Sequence, residues 1–318
     1  MVSPIMIFFF QILCVLALVA AGFFARRRGL LSAQGTNDLA RIALSLIYPA
    51  LVIASITQLS FTDLRAHLAL PLLTMAIALS GLFLGLLSLK FLGRVPRETA
   101  QAFLFHCLIN NYLFLPLPLV LFRFGEKGVA LLVFASVGYE FLLWSLGVVL
   151  FTKTFCIRQR AKALLSPPFL SLVFSLLFVA ARDLLPWPSM PAWGTLAGQT
   201  LLSGLRTFGA ATVAVAMLVA GSRFAVLKFE TMLGWRIWLV SAIRLVGVPL
   251  VMIPLLGRLP LDDMSRGILF IVAVMPSAMV SVLFSERYGG DTDFIAGGLL
   301  LTHLWALLTV PVLLAWAF

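Results

Sequence analysis

The chain has 318 residues, of which 62% are hydrophobic and 11% charged, with 23 Lys and Arg, 12 Asp and Glu, and a formal net charge of +11. A soluble domain carries roughly 25% charged residues, so this composition, with a mean hydropathy of +1.10, excludes a soluble enzyme and places nearly the whole chain in a membrane. The basic excess then marks cytoplasmic loops rather than a nucleic-acid partner.

A bilayer is spanned by roughly 20 mostly apolar residues. In chain order that rule predicts ten helices, at about 4–25, 37–58, 67–92, 99–122, 128–152, 167–185, 200–221, 234–256, 267–286 and 293–316. The first has no basic segment before it and is followed by Arg26, Arg27 and Arg28. It therefore reads as a span with its N-terminus outside, not as a cleaved leader. The seventh is the weakest, because it opens in a Gly/Thr/Ser-rich stretch and holds Arg206. With ten spans the odd-numbered loops share one side, and that side carries fifteen of the basic residues against six on the other. The richer side is expected to be cytoplasmic, which leaves both termini outside. Cys14, Cys107 and Cys156 are isolated, and their spacing supports neither a metal site nor a disulfide framework. No metal and no cofactor is expected.

The basic segment KTFCIRQRAK, from Lys153 to Lys162, separates five spans from five. An odd number per half forces opposite orientations, which makes an inverted repeat. The expected fold is an all-α polytopic membrane protein: ten transmembrane helices in two inverted five-helix repeats, residues 1–152 and 167–318, joined by a central cytoplasmic loop at 153–166. The Pro- and Trp-rich loop from Arg182 to Gly194 is expected to lie in the membrane interface.

Two spans at matching places in the halves are interrupted by proline. One reads HCLINNYLFLPLPLVLFRFGEKG from His106 to Gly128, the other VAVMPSAMVSVLFSERYGGD from Val272 to Asp291. Proline removes a backbone donor and frees a carbonyl one turn earlier, and lipid satisfies neither kind of orphan. Paired interruptions of this kind point to a transporter's binding site. Asn110 and Asn111 precede Pro116 and Pro118 and offer donors and acceptors for a carboxylate or a coupling ion. The plainer alternative is that they pair with freed backbone groups. Ser277 and Ser281 follow Pro276 on one helical face, and half-helix ends at the two breaks can hold an anion through their dipoles.

Glu140 lies mid-span in VGYEFLLWSLG, where an ionisable residue is a candidate proton carrier, cation ligand or gate, or else a helix-interface acid. The repeat offset carries its position close to His303 and Trp305. Arg244, in SAIRLVGVPLV, is expected to snorkel to the cytoplasmic interface or to pair structurally, ahead of touching substrate. His106 and His303 titrate near neutral pH when unperturbed, though lone intramembrane histidines are more often packing residues. Pro49 and Gly221 read as packing or hinge devices.

Taken together, IALSLIYPALVIASI, NNYLFLPLPLVLFRFGEKG, the WSLG after Glu140, VAGSRFA, RLVGVPL and MPSAMVSVLFSERYGGD resemble the auxin efflux carrier family, which includes plant auxin exporters and bacterial malonate and malate carriers. The pieces run in family order over nearly the whole chain. The resemblance implies ten helices in two inverted repeats, with the fourth and ninth broken and crossing at the substrate site. It implies a scaffold at about 1–60 and 167–225, a transport domain at about 66–152 and 234–318, an elevator-type cycle and often a homodimer. Asn110, Asn111, Pro116 and Pro276 fall on the crossing by position. Family members commonly carry Asn near Glu140, and plant members have a long central loop that this chain lacks.

The expectation is a secondary transporter of small organic anions, mono- or dicarboxylates, in a bacterial inner membrane. Its partners are the carboxylate and membrane lipid, with H+ or Na+ as the coupling ion and Glu140 as its carrier. The substrate-binding candidates are Asn110, Asn111, Pro116, Pro276 and Ser277, and the coupling or gating candidates are Glu140, His303 and Arg244. The alternatives are a sodium-coupled symporter of the bile acid type and a ligand sensor that moves nothing. No paired acids or nucleophile motif supports an enzyme.

Overall fold

The computed structural model describes residues 4–151, 166–185, 192–226, 229–232 and 234–318. Apart from Ser166, the central loop expected at 153–166 lies outside the described residues, as do Cys156 and residues 186–191 of the Pro- and Trp-rich loop. Among the described residues the regular structure is helical, except for one isolated antiparallel bridge between Asn110 and Ser277.

The helices are α1 (Pro4–Arg27), α2 (Ala33–Ile56), α3 (Phe61–Ala66), α4 (Ala69–Leu89), α5 (Arg97–Leu108), α6 (Pro116–Phe151), α7 (Pro167–Leu184), α8 (Ala192–Phe224), α9 (Trp235–Gly257), α10 (Asp263–Ala273), α11 (Val280–Tyr288) and α12 (Thr292–Ala317). Seven stretches of the described residues are long and apolar enough to cross a membrane. The spans expected at 99–122 and 267–286 are each divided, at 109–115 and at 274–279, where the proline interruptions were expected. The expected boundary between 122 and 128 is a kink inside α6, where Gly125 takes φ 65° and ψ −161°.

Polar caps start several helices where the chain re-enters apolar surroundings. Ser32 accepts from Gly35 N at 2.9 Å, Asp262 from Ser265 N and Asp291 from Phe294 N. Ser60 and Asp63 form a reciprocal capping box at α3. Each satisfies a donor that the first helical turn leaves orphaned.

Three helices contain a wide π turn: Ala43–Ile47 in α2, Leu143–Gly147 in α6 and Ile243–Gly247 in α9. Proline accounts for two of them. Pro49 and Pro249 donate no N–H, and their rings would press on the carbonyls of Ser45 and Leu245. The ladder widens just before each, so that Tyr48 N bonds Ala43 O and Val248 N bonds Ile243 O. In the α6 turn, Ser145 Oγ donates to Phe141 O at 2.6 Å, a side chain entering the ladder.

The tightest packing falls inside two sets: α1 and α2 pack on α8 and α7 on α2, and α4 packs on α5 and α6. α9 packs on α10 and α12 and α10 on α6, and the two sets meet where α2 packs on α6 and α1 on α12. Burial of apolar surface cannot hold helices together in lipid, so close van der Waals approach must do it. At the α1–α8 contact a Cβ on Gly221 would stand 1.8 Å from Val19 O, so only glycine permits that approach. Gly221 is thus the packing device expected of it.

Candidate functional site

The breaks in α5–α6 and α10–α11 meet. α5 ends at Leu108 because Ile109 turns to an extended conformation (φ −109°, ψ 115°). Past it the two extended segments run antiparallel: Asn111 N donates to Pro276 O at 2.7 Å, and Ala278 N donates to Ile109 O at 3.2 Å. Each break therefore supplies the partners that the other lost, which removes the cost of unpaired backbone in lipid. Thr302 of α12 adds its hydroxyl oxygen to Ser277 N at 3.4 Å.

Each of the two asparagines is half engaged. Asn110 Nδ2 donates to Val272 O at 2.6 Å, and Asn111 Oδ1 accepts from Leu115 N at 3.2 Å, at the entry to α6. The plainer reading, pairing with freed backbone groups, thus accounts for half of each amide. The other halves, Asn110 Oδ1 and Asn111 Nδ2, are buried without a protein partner, as is Ser277 Oγ. Buried polar groups are rarely left so, and those that are call for a ligand or water.

Beside the crossing lies a cavity of about 510 Å³ with mostly apolar walls. Asn110 and Asn111 line it, with Tyr112 after them, Glu140 and Trp144 from α6, and Tyr48 from α2. Glu140 Oε1 accepts from Tyr112 Oη at 2.8 Å and Oε2 accepts from Trp144 Nε1 at 3.1 Å. Tyr112 in turn stacks on Tyr139, centroids 4.8 Å apart and planes 6° from parallel. The carboxylate is therefore held by two aromatic donors at the cavity wall. Pro116, Pro276 and Ser277 frame the crossing but do not line the cavity; all three are buried, and Pro276 acts through its carbonyl. Two π turns also face the cavity, through Leu44 and Ser45 and through Leu143 and Trp144, in keeping with the frequent placement of such turns at functional sites.

Arg244, in the third π turn, does not snorkel. It is 0% exposed. Its guanidinium reaches Met275 O at 3.3 Å, Cys107 O at 3.3 Å and Ala273 O at 3.4 Å. Of the two structural fates expected for it, pairing is the one observed. His303 stands apart from the cavity that Glu140 lines. Its Nδ1 bonds Leu299 O at 2.8 Å, and it borders a separate small void of about 40 Å³ with Phe224 and Met279. His106 is fully buried, with Nε2 3.0 Å from Ile295 O. A carbonyl only accepts, so Nε2 carries the proton.

Tyr48, Tyr112 and Trp144 were not singled out from the sequence. Their signal was present: Trp144 is four residues after Glu140, Tyr112 follows the asparagine pair, and Tyr48 precedes Pro49. In a chain with 12% aromatic residues such neighbours do not stand out. Among the described residues no three His, Cys, Asp or Glu side chains are grouped to hold a metal ion.

Residues 7–314 match a family described as membrane transport protein. The chain is 24% identical over 310 residues to a protein of Methanocaldococcus jannaschii named as an uncharacterized transporter, covering 95% of this chain and 96% of that one. It is 22% identical over 307 residues to an uncharacterized transporter of Methanothermobacter thermautotrophicus, covering 95% of each. Both likenesses run over nearly the whole chain, the two breaks included.

Proposed function

The chain belongs to the auxin efflux carrier family of membrane transport proteins, and from that premise we propose that it is a secondary transporter of small organic anions. The observation that carries the substrate class is a polar pair in a mostly apolar cavity: Asn110 and Asn111 on a bridged double break, each with half an amide unpaired. Asn111 Nδ2 is the donor for a carboxylate oxygen, and the aromatic walls take an apolar body.

In this reading the ten-span inverted repeat holds, with α5–α6 and α10–α11 as its broken members. The group α1, α2, α7 and α8 is the scaffold, and the remaining spans move against it in an elevator-type cycle. The tightest packing, of α1 and α2 on α8, α7 on α2 and α4 on α5 and α6, lies inside these two groups and supports that division. Exit of an anion runs down the membrane potential and needs no coupling ion. Entry needs one, and Glu140, held at the cavity wall by Tyr112 and Trp144, is the group placed to carry a proton. The protein resides in the inner membrane with both termini outside, as a homodimer.

The test is thermal stabilisation of the purified protein across a panel of small carboxylates, with and without sodium and at two pH values, followed by flux in liposomes. A ligand that binds only the folded state raises Tm with its occupancy. A sodium-independent carboxylate hit that is also carried across the bilayer supports the proposal. Stabilisation without flux turns the reading to a ligand sensor, and no stabilisation by any carboxylate removes the anion.

A further inference from the structure

Arg244 is the one charged side chain among the fully buried large residues of the described chain. Among the described residues it makes no ion pair, so no carboxylate lies within 4.0 Å of it. Its partners are three carbonyl oxygens, with the Tyr139 hydroxyl beside them, and the location of the carbonyls is informative. Cys107 O is in the last turn of α5, Ala273 O ends α10, and Met275 O follows in the extended segment. These are the orphan acceptors that a helix C-terminus leaves unpaired. Lipid offers them nothing, and two such ends meet at one place.

Charge decides what can sit there. A helix C-terminus behaves as about −0.5 of an elementary charge. Two together amount to about −1, which a single guanidinium matches. A cluster of backbone carbonyls is also the ligand type that hard cations choose. The bonds of 3.3–3.4 Å are at the long end for hydrogen bonds, so the attraction is mainly of charge for dipole. Access to the site is provided for: a Cβ on Gly81 of α4 would stand 2.0 Å from Cys107 O and 2.9 Å from Arg244 Nη1. The π turn at Ile243–Gly247 sets the side chain on this face of α9.

We propose that Arg244 is a resident cation: its guanidinium neutralises the two carbonyl ends that meet at the crossing and takes the place a coupling metal ion would hold. It is a positioning residue for the transport reading on which the inference rests. It touches no substrate, and it fixes the two breaks beside which Asn110 and Asn111 line the cavity. The carbonyls of Cys107, Ala273 and Met275 are already engaged, so sodium has no vacancy to fill there.

The experiment uses the full-length protein, with Arg244→Met, Arg244→Lys and Arg244→Ala. Arg244→Met keeps the bulk and removes the charge, and is expected to lower Tm by on the order of 10 °C. Arg244→Lys keeps the charge without the planar fork and retains part of that loss. Free guanidinium at a low, non-denaturing concentration raises the Tm of Arg244→Ala towards wild type and leaves wild type unchanged. Wild-type Tm does not respond when sodium is exchanged for choline at constant ionic strength.

Saturable stabilisation of wild type by sodium overturns the proposal, and needs no variant to fold. So does an Arg244→Met protein as stable as wild type. A lysine variant no better than methionine, with no guanidinium rescue of the alanine variant, marks a packing role and also overturns it. Flux of benzoate and malonate through wild-type liposomes is a separate arm. Its failure alone unseats the carboxylate reading, while the sodium and variant results still decide the role of Arg244.

Discussion

Asn111 donates its backbone N–H to the carbonyl of Pro276 at 2.7 Å, across 165 residues of chain. The proline that breaks one half is thereby the acceptor for the asparagine that precedes the break in the other. The two interruptions are one structural unit, and substitutions on either side are expected to be felt by both.

Asn110→Ala is expected to cost about 1 kcal/mol, because it removes the 2.6 Å bond to Val272 O and leaves that oxygen only the longer bond from Met275 N. Asn111→Ala loses the bond to Leu115 N and is expected to cost a similar amount. Both should also reduce carboxylate flux at least tenfold. Thermal unfolding and liposome flux measured on the same preparations separate the effects, and normal flux in a destabilised Asn111→Ala protein removes its amide from the site.

Glu140→Gln replaces one of the two carboxylate oxygens by an NH2 that cannot accept. One of the two bonds, from Tyr112 or from Trp144, is therefore lost. The expected outcome is retained carboxylate binding with a flattened pH profile of flux. The check is flux from pH 5 to pH 8 beside a Tm titration with the same acid. A profile identical to wild type excludes Glu140 as the coupling group.

Tyr112→Phe keeps the ring stacked on Tyr139 but strips Glu140 of its shorter bond. A loss of about 1–2 kcal/mol is expected. In a double-mutant cycle with Glu140→Gln, the second change should cost clearly less than it does alone. Full additivity in Tm would mean that the 2.8 Å bond contributes nothing.

Two glycines of α8 should respond to alanine with opposite signs. At Gly221 the new methyl meets Val19 O, a backbone atom that cannot step aside, and about 3 kcal/mol or more is expected to be lost. At Gly204 nothing stands within 4 Å, and the gain in helix propensity is expected to add about 1 kcal/mol. Tm values of the two single variants, purified side by side, test both.

Arg182 ties down the link between α2 and α3, donating to Thr57 O and Leu59 O at 2.8 Å each, while Asp183 accepts from Phe61 N at 2.7 Å. Arg182→Ala is expected to cost only about 1 kcal/mol at this half-exposed site. Hydrogen exchange at residues 57–61 should quicken by roughly fivefold. No change there would show that the link is held by the Ser60–Asp63 capping box and the Asp183–Phe61 bond without Arg182.

Much of the helix layout was legible in the sequence, since apolar runs, flanking Arg and Lys and capping residues are local signals. The breaks were legible too, because Pro116 and Pro276 act on their own backbone. What the breaks do for each other was not, because the Asn111–Pro276 bond depends on two distant segments lying antiparallel. Arg244 was half legible: its cost in lipid demanded a remedy, and only the fold distinguishes snorkelling from carbonyl pairing. The aromatic donors to Glu140 were hidden because Tyr112 is brought to it by the break itself, not by helical spacing.

The wide turns of α2, α6 and α9 have the look of defects, yet each amounts to one residue wound in beyond the regular helix. An added residue advances everything after it by about 100° around the axis. The halves of these three helices are therefore keyed to different neighbours. Shortening the chain by one residue inside a wide turn would give a more regular helix and swing its far half off target, taking Ser45, Trp144 or Arg244 with it. Surface loops commonly absorb insertions and deletions. Here three buried helix interiors should be the places where the gene tolerates no change of length.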